Sequence, residues 1–98
     1  MAIDAQTQVT EDPEAGRFLM SLAGEPIGFL QYQPLPGSSM VLEHVEIDPR
    51  FEGRGLGGEL TKAALDEFRA RGVTVVPQCP FIARYIRTHP EYADLVAR

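Results

Sequence analysis

The sequence predicts a single small α/β domain in which a mixed, mostly antiparallel sheet is flanked by helices. Its 98 residues, 44% of them apolar, are enough for one compact domain with a modest core. Strand-type patterns fill the first half of the chain, and a helix, a further strand and a second helix are predicted after them. We therefore treat residues 1–98 as one domain, with about residues 1–15 expected to form a loosely ordered N-terminus.

The first half of the chain contains most of the predicted strands. Residues 16–24 and 25–35 are two β-type runs joined by a turn, and a shorter strand near Gln6–Thr10 could precede them. Residues 40–47 alternate and end at Asp48-Pro49, because proline cannot continue a central ladder. Strict alternation of this strand predicts two faces, one with Met40, Leu42, His44 and Glu46, the other with Val41, Glu43, Val45 and Ile47.

The second half of the chain alternates between helix and strand patterns. Leucine, alanine and phenylalanine side chains at positions 60, 64, 65 and 68 form one helical stripe, and Gly72 supplies a left-handed stop. Residues 73–77 are a β-branched run, which predicts a strand buried on both faces. A helix with proline at its first position is predicted over 80–89, and residues 91–98 are expected to form a short final helix.

The charges are distributed unevenly along the chain. Residues 1–49 contain one basic and eight acidic residues, a balance of −7, whereas residues 50–98 contain eight basic and six acidic residues, a balance of +2. The net charge of −5 argues against a general nucleic-acid binder. The second half would suit a polyphosphate ligand and the first half a cationic substrate, unless both are merely solvated surface.

Membrane, disulfide and metal signals are weak. No apolar run approaches the length of a membrane span, and the acidic, polar start lacks the basic and apolar regions of a secretory signal. Cys79 is the one cysteine, which excludes an internal disulfide and argues against a zinc cage built by this chain alone. We therefore expect no metal site, no membrane association and a cytoplasmic location.

Four glycines within six positions, at 53, 55, 57 and 58, separate the predicted strand from the predicted helix. Such a turn before a helix N-terminus exposes backbone N–H groups and suits an anion. A P-loop would need Gly-Lys-Ser/Thr where Gly57-Gly58-Glu59 stands. A dinucleotide-binding turn would need an acid at the end of the next strand, which V-T-V-V-P-Q lacks.

The segment Arg50–Gly55, R-F-E-G-R-G, fits the pattern Arg/Gln-x-x-Gly-x-Gly/Ala. It resembles the pyrophosphate-binding motif of the GNAT superfamily of acetyl-coenzyme A-dependent N-acetyltransferases. The stretches HVEIDPRFEGRGLGGEL, VVPQCPFIARYI and HPEY resemble a short, stand-alone GNAT-like branch, over a region from Arg17 to the end. The resemblance implies a GNAT-like fold, and the branch largely lacks the segments that build an amine pocket in ordinary members.

The resemblance also implies a coenzyme site. Backbone N–H groups of residues 54–58 would cradle the pyrophosphate, the strand end at 45–47 would pair with the pantetheine arm, and arginines would neutralise phosphates. Arg50 could instead be structural, and the two arginines of the second helix could be solvated surface. The residues expected to contact the coenzyme are Val45, Ile47, Arg50, Gly53, Arg54, Gly55, Leu56, Gly57, Gly58, Cys79, Arg84 and Arg87.

Four residues are candidates for the chemistry of acetyl transfer. By the resemblance, Glu46 is the general base, and His44 on the same face could relay the proton; the alternative for both is an ordinary polar sheet surface. Cys79 at a helix N-cap could be acetylated, line the acetyl pocket or be an inert buried thiol. Tyr85 could protonate the leaving thiolate, although the Asn-x-x-Ala-x-x-x-Tyr spacing typical of the superfamily is absent.

The sequence therefore predicts a small GNAT-like protein that binds acetyl-coenzyme A and transfers its acetyl group to a primary amine. The acidic first half favours a cationic acceptor such as a polyamine, a lysine side chain or an N-terminus. One alternative is a coenzyme A or acyl-coenzyme A binding module without turnover, acting as a sensor or partner protein. Another is a nucleotide-binding domain. A monomer or a homodimer would fit either main interpretation.

Overall fold

The computed structural model describes residues 7–97, which form a five-stranded sheet with its strands in chain order. The three ladders among the first four strands are antiparallel, and the last strand is parallel to its neighbour. This is the mixed, mostly antiparallel sheet that the sequence predicts. The strands are β1 Thr7–Asp12, β2 Arg17–Leu22, β3 Glu25–Leu35, β4 Ser39–Ile47 and β5 Thr74–Pro77.

Strand β1 covers part of the segment for which a loosely ordered N-terminus is predicted. It pairs in full register with β2, from Thr7 opposite Leu22 to Asp12 opposite Arg17. Residues 1–6, and with them the start of the predicted short strand, lie outside the described residues.

Two α-helices follow the sheet, α1 over Leu56–Ala70 and α2 over Pro80–Thr88. Arg71 is the C-cap of helix α1, and Gly72 after it takes the predicted left-handed conformation with φ +71°. The predicted final helix over 91–98 is wrong in type, because the chain forms a 3₁₀ helix over Pro90–Leu95. A six-residue segment that begins with proline has too few i→i−4 partners to establish α-helical turns.

All fully buried apolar side chains of the sheet and of both helices belong to one core cluster. At its centre Phe68 of α1 packs edge-on against Phe18 and Tyr32, with ring centroids 5.5 and 5.3 Å apart. The helices therefore cover one face of the sheet and leave the other open. The prediction that residues 73–77 are buried on both faces is wrong, since only Val75 of β5 is buried.

A β-bulge interrupts the pairing of β3 with β4. Gln31 lies opposite His44, whereas the next residue, Tyr32, lies opposite Leu42, so that Glu43 has no partner. An unpaired residue reverses the alternation of side chains on its strand. The strict alternation predicted for residues 40–47 is therefore wrong beyond this point.

The bulge decides which side chains of β4 face the core. Leu42 is buried, and Val45 and Ile47 pack against the same core cluster. His44 and Glu46 lie on the open face, where their side chains are 54% and 61% exposed. The prediction that these two polar residues share a face is correct, and the prediction that Leu42 lies on that same face is wrong.

Candidate functional site

A cavity of about 510 Å³ opens where the end of β4, the glycine segment and the two helices meet. The β4 residues 45–47 form one side, and every residue of the segment 53–58 except Arg54 forms another. Phe51 and Phe81 supply aromatic walls. The cavity thus brings together the predicted strand end and the predicted glycine turn.

The strand end is open on the side that faces β5. Strand β5 pairs with β4 only over Ser39–Leu42. The N–H groups of Gln78 and Cys79 both donate to the Leu42 carbonyl, at 3.0 and 3.1 Å, and the chain then turns into α2. In the described part of the chain, no backbone hydrogen bond joins residues 43–47 to anything on this side. An extended ligand can therefore pair with this edge as a strand would.

Two of the four glycines are required by backbone conformation. Gly53 and Gly55 have φ angles of +80° and +77°, in the left-handed region. A Cβ at either position would meet no atom within 4 Å, so the constraint is conformation and not space. Gly55 is also the N-cap of α1, which means that the helix starts directly from this left-handed turn.

The other two glycines allow the helices to approach each other. A Cβ on Gly57 would lie 3.1 Å from Cζ of Phe81, and one on Gly58 would lie 3.4 Å from Cε2 of Tyr85. Both glycines lie in the first turn of α1 and face α2. The four glycines therefore have two separate roles, which spacing in the sequence does not distinguish.

The backbone of the glycine segment is rich in unpaired donors. Within residues 7–97, none of the six N–H groups of residues 53–58 donates a hydrogen bond, and the first helical bond runs from Glu59 N–H to Gly55 O at 3.1 Å. Unpaired amides at a helix N-terminus, together with the helix dipole, attract an anion. This is the strongest chemical feature of the cavity.

The two arginines of the motif differ in their partners. Arg50 binds Asp48 at 3.0 Å and Glu25 at 3.3 Å, and these contacts raise the arginine pKa and lower the Asp48 pKa. Arg54 lies 5.3 Å from the Phe51 ring and, among the described residues, is in no ion pair. Arg54 is thus the more available of the two for an anionic ligand.

Glu46 and His44 form a hydrogen-bonded pair, with 3.2 Å between Oε1 and Nε2. The pair is on the open face, and the His44 ring packs near Phe29 at a centroid distance of 5.9 Å. Glu46 lines both the cavity and a second depression on the open face. It is therefore in reach of ligands that approach from either side of β4.

Cys79 is the N-cap of α2, as the sequence predicts. Its side chain is 6% exposed and belongs to the core cluster, and it is not among the residues that line the cavity. Its backbone carbonyl accepts a hydrogen bond from Ala83 N–H at 2.9 Å. The geometry thus presents Cys79 as a packed residue of the α2 start.

Tyr85 packs beside Gly58 in the first turn of α1 and does not line the cavity. Its ring stacks on His89 at 3.8 Å, and His89 Nδ1 lies 2.8 Å from the Tyr85 carbonyl oxygen. Burial raises the pKa of the Tyr85 hydroxyl above its ordinary value, so the hydroxyl keeps its proton at neutral pH.

Arg84 and Arg87 lie outside the cavity. Both are exposed and, with Phe81, line an adjacent open depression of about 490 Å³. Neither guanidinium is in an ion pair with another residue between 7 and 97. Phe81 separates the two spaces and contributes to both.

Sequence reasoning did not identify the aromatic walls of the cavity or its second acid, Glu52. Phe51 and Glu52 lie inside the recognised motif but occupy its variable positions. Phe81 directly follows the proline of α2 and is 38% exposed. No signal in the sequence places it beside the glycine turn, because that contact joins α2 to the start of α1.

Residues 7–97 contain no group of three or more histidine, cysteine or acidic side chains placed to hold a metal ion. Over the same residues, no helix has the length and apolar character needed to cross a membrane.

A family profile described as GCN5-related N-acetyl-transferase matches residues 17–95. Among curated proteins, the chain is 27% identical over 84 residues to Protein NATD1 of Xenopus tropicalis, covering 85% of this chain and 77% of that protein. It is 29% identical to Protein NATD1 of Gallus gallus, covering 85% and 76% of the two chains.

Solved structures share the fold. The solution structure of a GCN5-like protein from Staphylococcus aureus matches with a TM-score of 0.73 and 15% identity, covering 96% of this chain and 91% of the other. A GNAT family acetyltransferase from Elizabethkingia anophelis, solved with acetyl-CoA bound, matches with a TM-score of 0.64 and 13% identity, covering 89% and 76%. At these identities the likeness establishes the architecture alone.

Proposed function

Because the chain belongs to the GCN5-related N-acetyltransferase family, we propose that it binds acetyl-coenzyme A in the cavity and transfers the acetyl group to a primary amine. The observation that carries this proposal is the row of six N–H groups over residues 53–58 that have no partner within residues 7–97. Their number and orientation at a helix N-terminus suit a pyrophosphate better than a single carboxylate. The acetyl-CoA bound to the Elizabethkingia relative supports the choice of ligand.

The residues of the cavity fit the rest of the coenzyme. The free edge of β4 over residues 45–47 offers main-chain groups to the amides of the pantetheine arm. Arg54 is free to neutralise phosphate charge, whereas Arg50 is held by two carboxylates and has a structural role. Arg84 and Arg87 beside the cavity can meet the more distant phosphate of the coenzyme.

Acetyl transfer requires the acceptor to lose two protons and the thiolate to gain one. The thioester supplies the acetyl group: a carbon–nitrogen bond forms, the carbon–sulfur bond breaks, and its electron pair leaves on sulfur. Glu46 accepts the first proton from the acceptor ammonium, with His44 at 3.2 Å to pass it to solvent. The acceptor nitrogen loses its second proton once the carbon–nitrogen bond has formed, and this balances the proton that the departing thiolate takes up. Tyr85 of α2 is the candidate donor to the thiolate, and the second proton restores its hydroxyl.

A coenzyme A or acyl-coenzyme A binding module without turnover is the second candidate function. The observations that favour it are the exposure of Glu46 and the position of Tyr85 outside the cavity lining. A base that is mostly exposed to water is not held in place by its surroundings, and a distant acid cannot assist the leaving group. Such a module would bind the coenzyme and would not catalyse acetyl transfer.

Calorimetric titration with acetyl-CoA, ATP and NAD, followed by an assay of thiol release with amines, tests the proposal. We expect acetyl-CoA alone to bind and at least one primary amine to release coenzyme A. Binding without release for any amine would favour the binding module. Equal binding of all three nucleotides, or of none, would contradict the coenzyme site itself.

We further propose a cytoplasmic protein that acts as a monomer or homodimer and needs neither nucleic acid nor metal. The acidic balance of the first half and the single buried cysteine support this.

A further inference from the structure

A second depression, which we call the open-face groove, lies across the sheet on the side that the helices leave free. Its volume is about 350 Å³, and it is lined by Arg17 and Leu19 of β2, Phe29 of β3, and Glu46 and Asp48 around the end of β4. Glu46 also lines the cavity, so the groove and the cavity meet at the candidate base. An acceptor in the groove would therefore present its amine next to Glu46.

Two charged side chains of the open-face groove have fewer partners than Asp48, and they have opposite signs. Asp48 is held by Arg50 through three hydrogen bonds of its carboxylate with Nε and the terminal nitrogen, at 3.0–3.3 Å. Glu46 accepts one hydrogen bond, from His44, and Arg17 has no carboxylate partner among the described residues. The groove thus offers one anion and one cation.

Arg17 is incompletely satisfied in the structure. One terminal nitrogen donates to Gln31 Oε1 at 2.9 Å, while Nε is buried without any hydrogen-bond partner. It is the only buried side-chain nitrogen or oxygen between residues 7 and 97 in that condition. This nitrogen is closed off from the groove, so the donor that a ligand can reach is Nη1, which has no hydrogen bond with the described residues and is not among their buried atoms without a partner.

The positions of the two charges set the size of the ligand. The Arg17 guanidinium lies over the Phe29 ring, 4.2 Å from its centroid, and Phe29 is the direct cross-strand partner of Glu46. Arg17 lies on β2 and Glu46 on β4, so their strands are two spacings, or about 10 Å, apart, and the position of the guanidinium over Phe29 brings the cation part of the way towards Glu46. A molecule with an ammonium and a carboxylate on one carbon fits between them, whereas a polyamine would place a cation against Arg17.

We propose that the open-face groove binds the acetyl acceptor and that the acceptor is a free α-amino acid. Its ammonium meets Glu46, its carboxylate meets Arg17 through charge-assisted hydrogen bonds, and an apolar side chain packs on Leu19 and Phe29. This inference rests on the proposed acetyl transfer and replaces the polyamine or lysine expected from charge counts alone. Arg17 is then the residue that selects the acceptor.

The test compares L-leucine with 3-methylbutylamine, which is the same molecule without its carboxylate. Thiol release from acetyl-CoA gives KM for each acceptor in the wild-type protein and in Arg17→Ala. We expect the ratio of the leucine KM to the amine KM to rise at least about tenfold in the variant, because one charge-assisted pair is lost. Using the ratio cancels the different basicities of the two amines.

Two further variants distinguish a local effect of Arg17 from a general effect on folding. Arg17→Lys keeps the positive charge and loses the planar donor fork, so the same ratio should rise about threefold or more. Gln33→Ala changes an exposed residue of β3 that does not line the groove, and the ratio should stay unchanged. Calorimetric titration with acetyl-CoA verifies that each variant retains its coenzyme site.

The possible outcomes separate the inference from the function on which it rests. Acetylation of spermidine or of a leucine-initiated peptide in preference to leucine, or an Arg17→Ala effect equal on both acceptors, would overturn the inference and leave the transferase intact. If acetyl-CoA binds but no amine is acetylated, the transferase fails. L-leucine is then titrated into protein saturated with coenzyme A: binding that Arg17→Ala abolishes supports the groove, and no binding overturns it.

Discussion

The two ends of helix α1 differ in whether their charged and hydrogen-bonding groups have partners. At its start, six consecutive N–H groups have no partner within the described residues and Arg54 is in no ion pair there. At its end, Arg71 binds Glu67 at 2.9 Å and also Glu11, which accepts a hydrogen bond from the Tyr32 hydroxyl. These side chains at the end of the helix are engaged with one another within the chain.

The difference teaches where to look for function in a small domain. Satisfied polar networks rigidify a fold, whereas donors left unpaired beside a cavity are available to a ligand. Changes at the start of α1 should therefore alter ligand affinity as well as the free energy of unfolding. Changes at its end should alter the free energy of unfolding and leave ligand affinity unchanged.

Glu46→Gln should have the largest effect on rate. Removing the base should lower kcat by about 100-fold or more, while acetyl-CoA affinity is retained because residue 46 is proposed to meet the coenzyme through its main chain alone. Steady-state thiol release and calorimetry measure the two quantities. Glu43→Gln is the matched control, since it makes the same chemical change at the bulge of the same strand. A rate loss as large in Glu43→Gln would argue against the assigned base.

Gly55→Val should have the next largest effect, on affinity. A β-branched residue disfavours φ +77°, so the loop must turn its N–H groups away, and acetyl-CoA affinity should fall about 30- to 100-fold. Gly37→Val is matched to it, because Gly37 has φ +83° and a Cβ there would also meet no atom within 4 Å. Both variants should lose about 1–2 kcal/mol of unfolding free energy. Equal affinity in the two variants would contradict the backbone site.

Glu11→Gln should have the smallest effect on ligand binding and a measurable one on stability. Hydrogen bonds from Arg71, and one from Tyr32, hold the Glu11 pKa below its ordinary 4.5. Because the pKa of Glu11 is lower in the folded state than in the unfolded state, its ionised form stabilises the fold above pH 4.5. That stabilisation is lost as the pH falls from 4.5 through the pKa of the folded state. Urea unfolding should show a loss of about 1–2 kcal/mol at pH 7 that shrinks at lower pH. A pH-independent loss would indicate packing instead.

The sequence predicted the glycine segment more completely than the strand before it. Glycines, a helix stripe and Asp48-Pro49 are local signals, and they correctly located the turn, the start of α1 and the end of β4. The bulge at Glu43 depends on pairing with β3, a contact between distant parts of the chain. Periodicity alone could not locate the bulge. The prediction therefore put Leu42 and Glu46 on the same face of the strand, which is wrong.

The same limit applies to the site. The proposed anion site at the turn could be predicted from residue types, but the separate role of Gly57 and Gly58 depends on how close α2 packs. Cys79 was correctly placed at the N-cap of α2, yet its exclusion from the cavity lining depends on core packing. The free edge of β4 likewise exists only because β5 is short.

The most direct test of the glycine site is an NMR titration of ¹⁵N-labelled protein with acetyl-CoA. Backbone amides of residues 53–58 and of the β4 edge at 45–47 should shift, because they gain hydrogen-bond acceptors. The amides around Glu11 and Arg71, whose groups are already engaged, should stay in place. Shifts confined to other regions, or none at saturating acetyl-CoA, would contradict the assignment of the glycine segment as the coenzyme site.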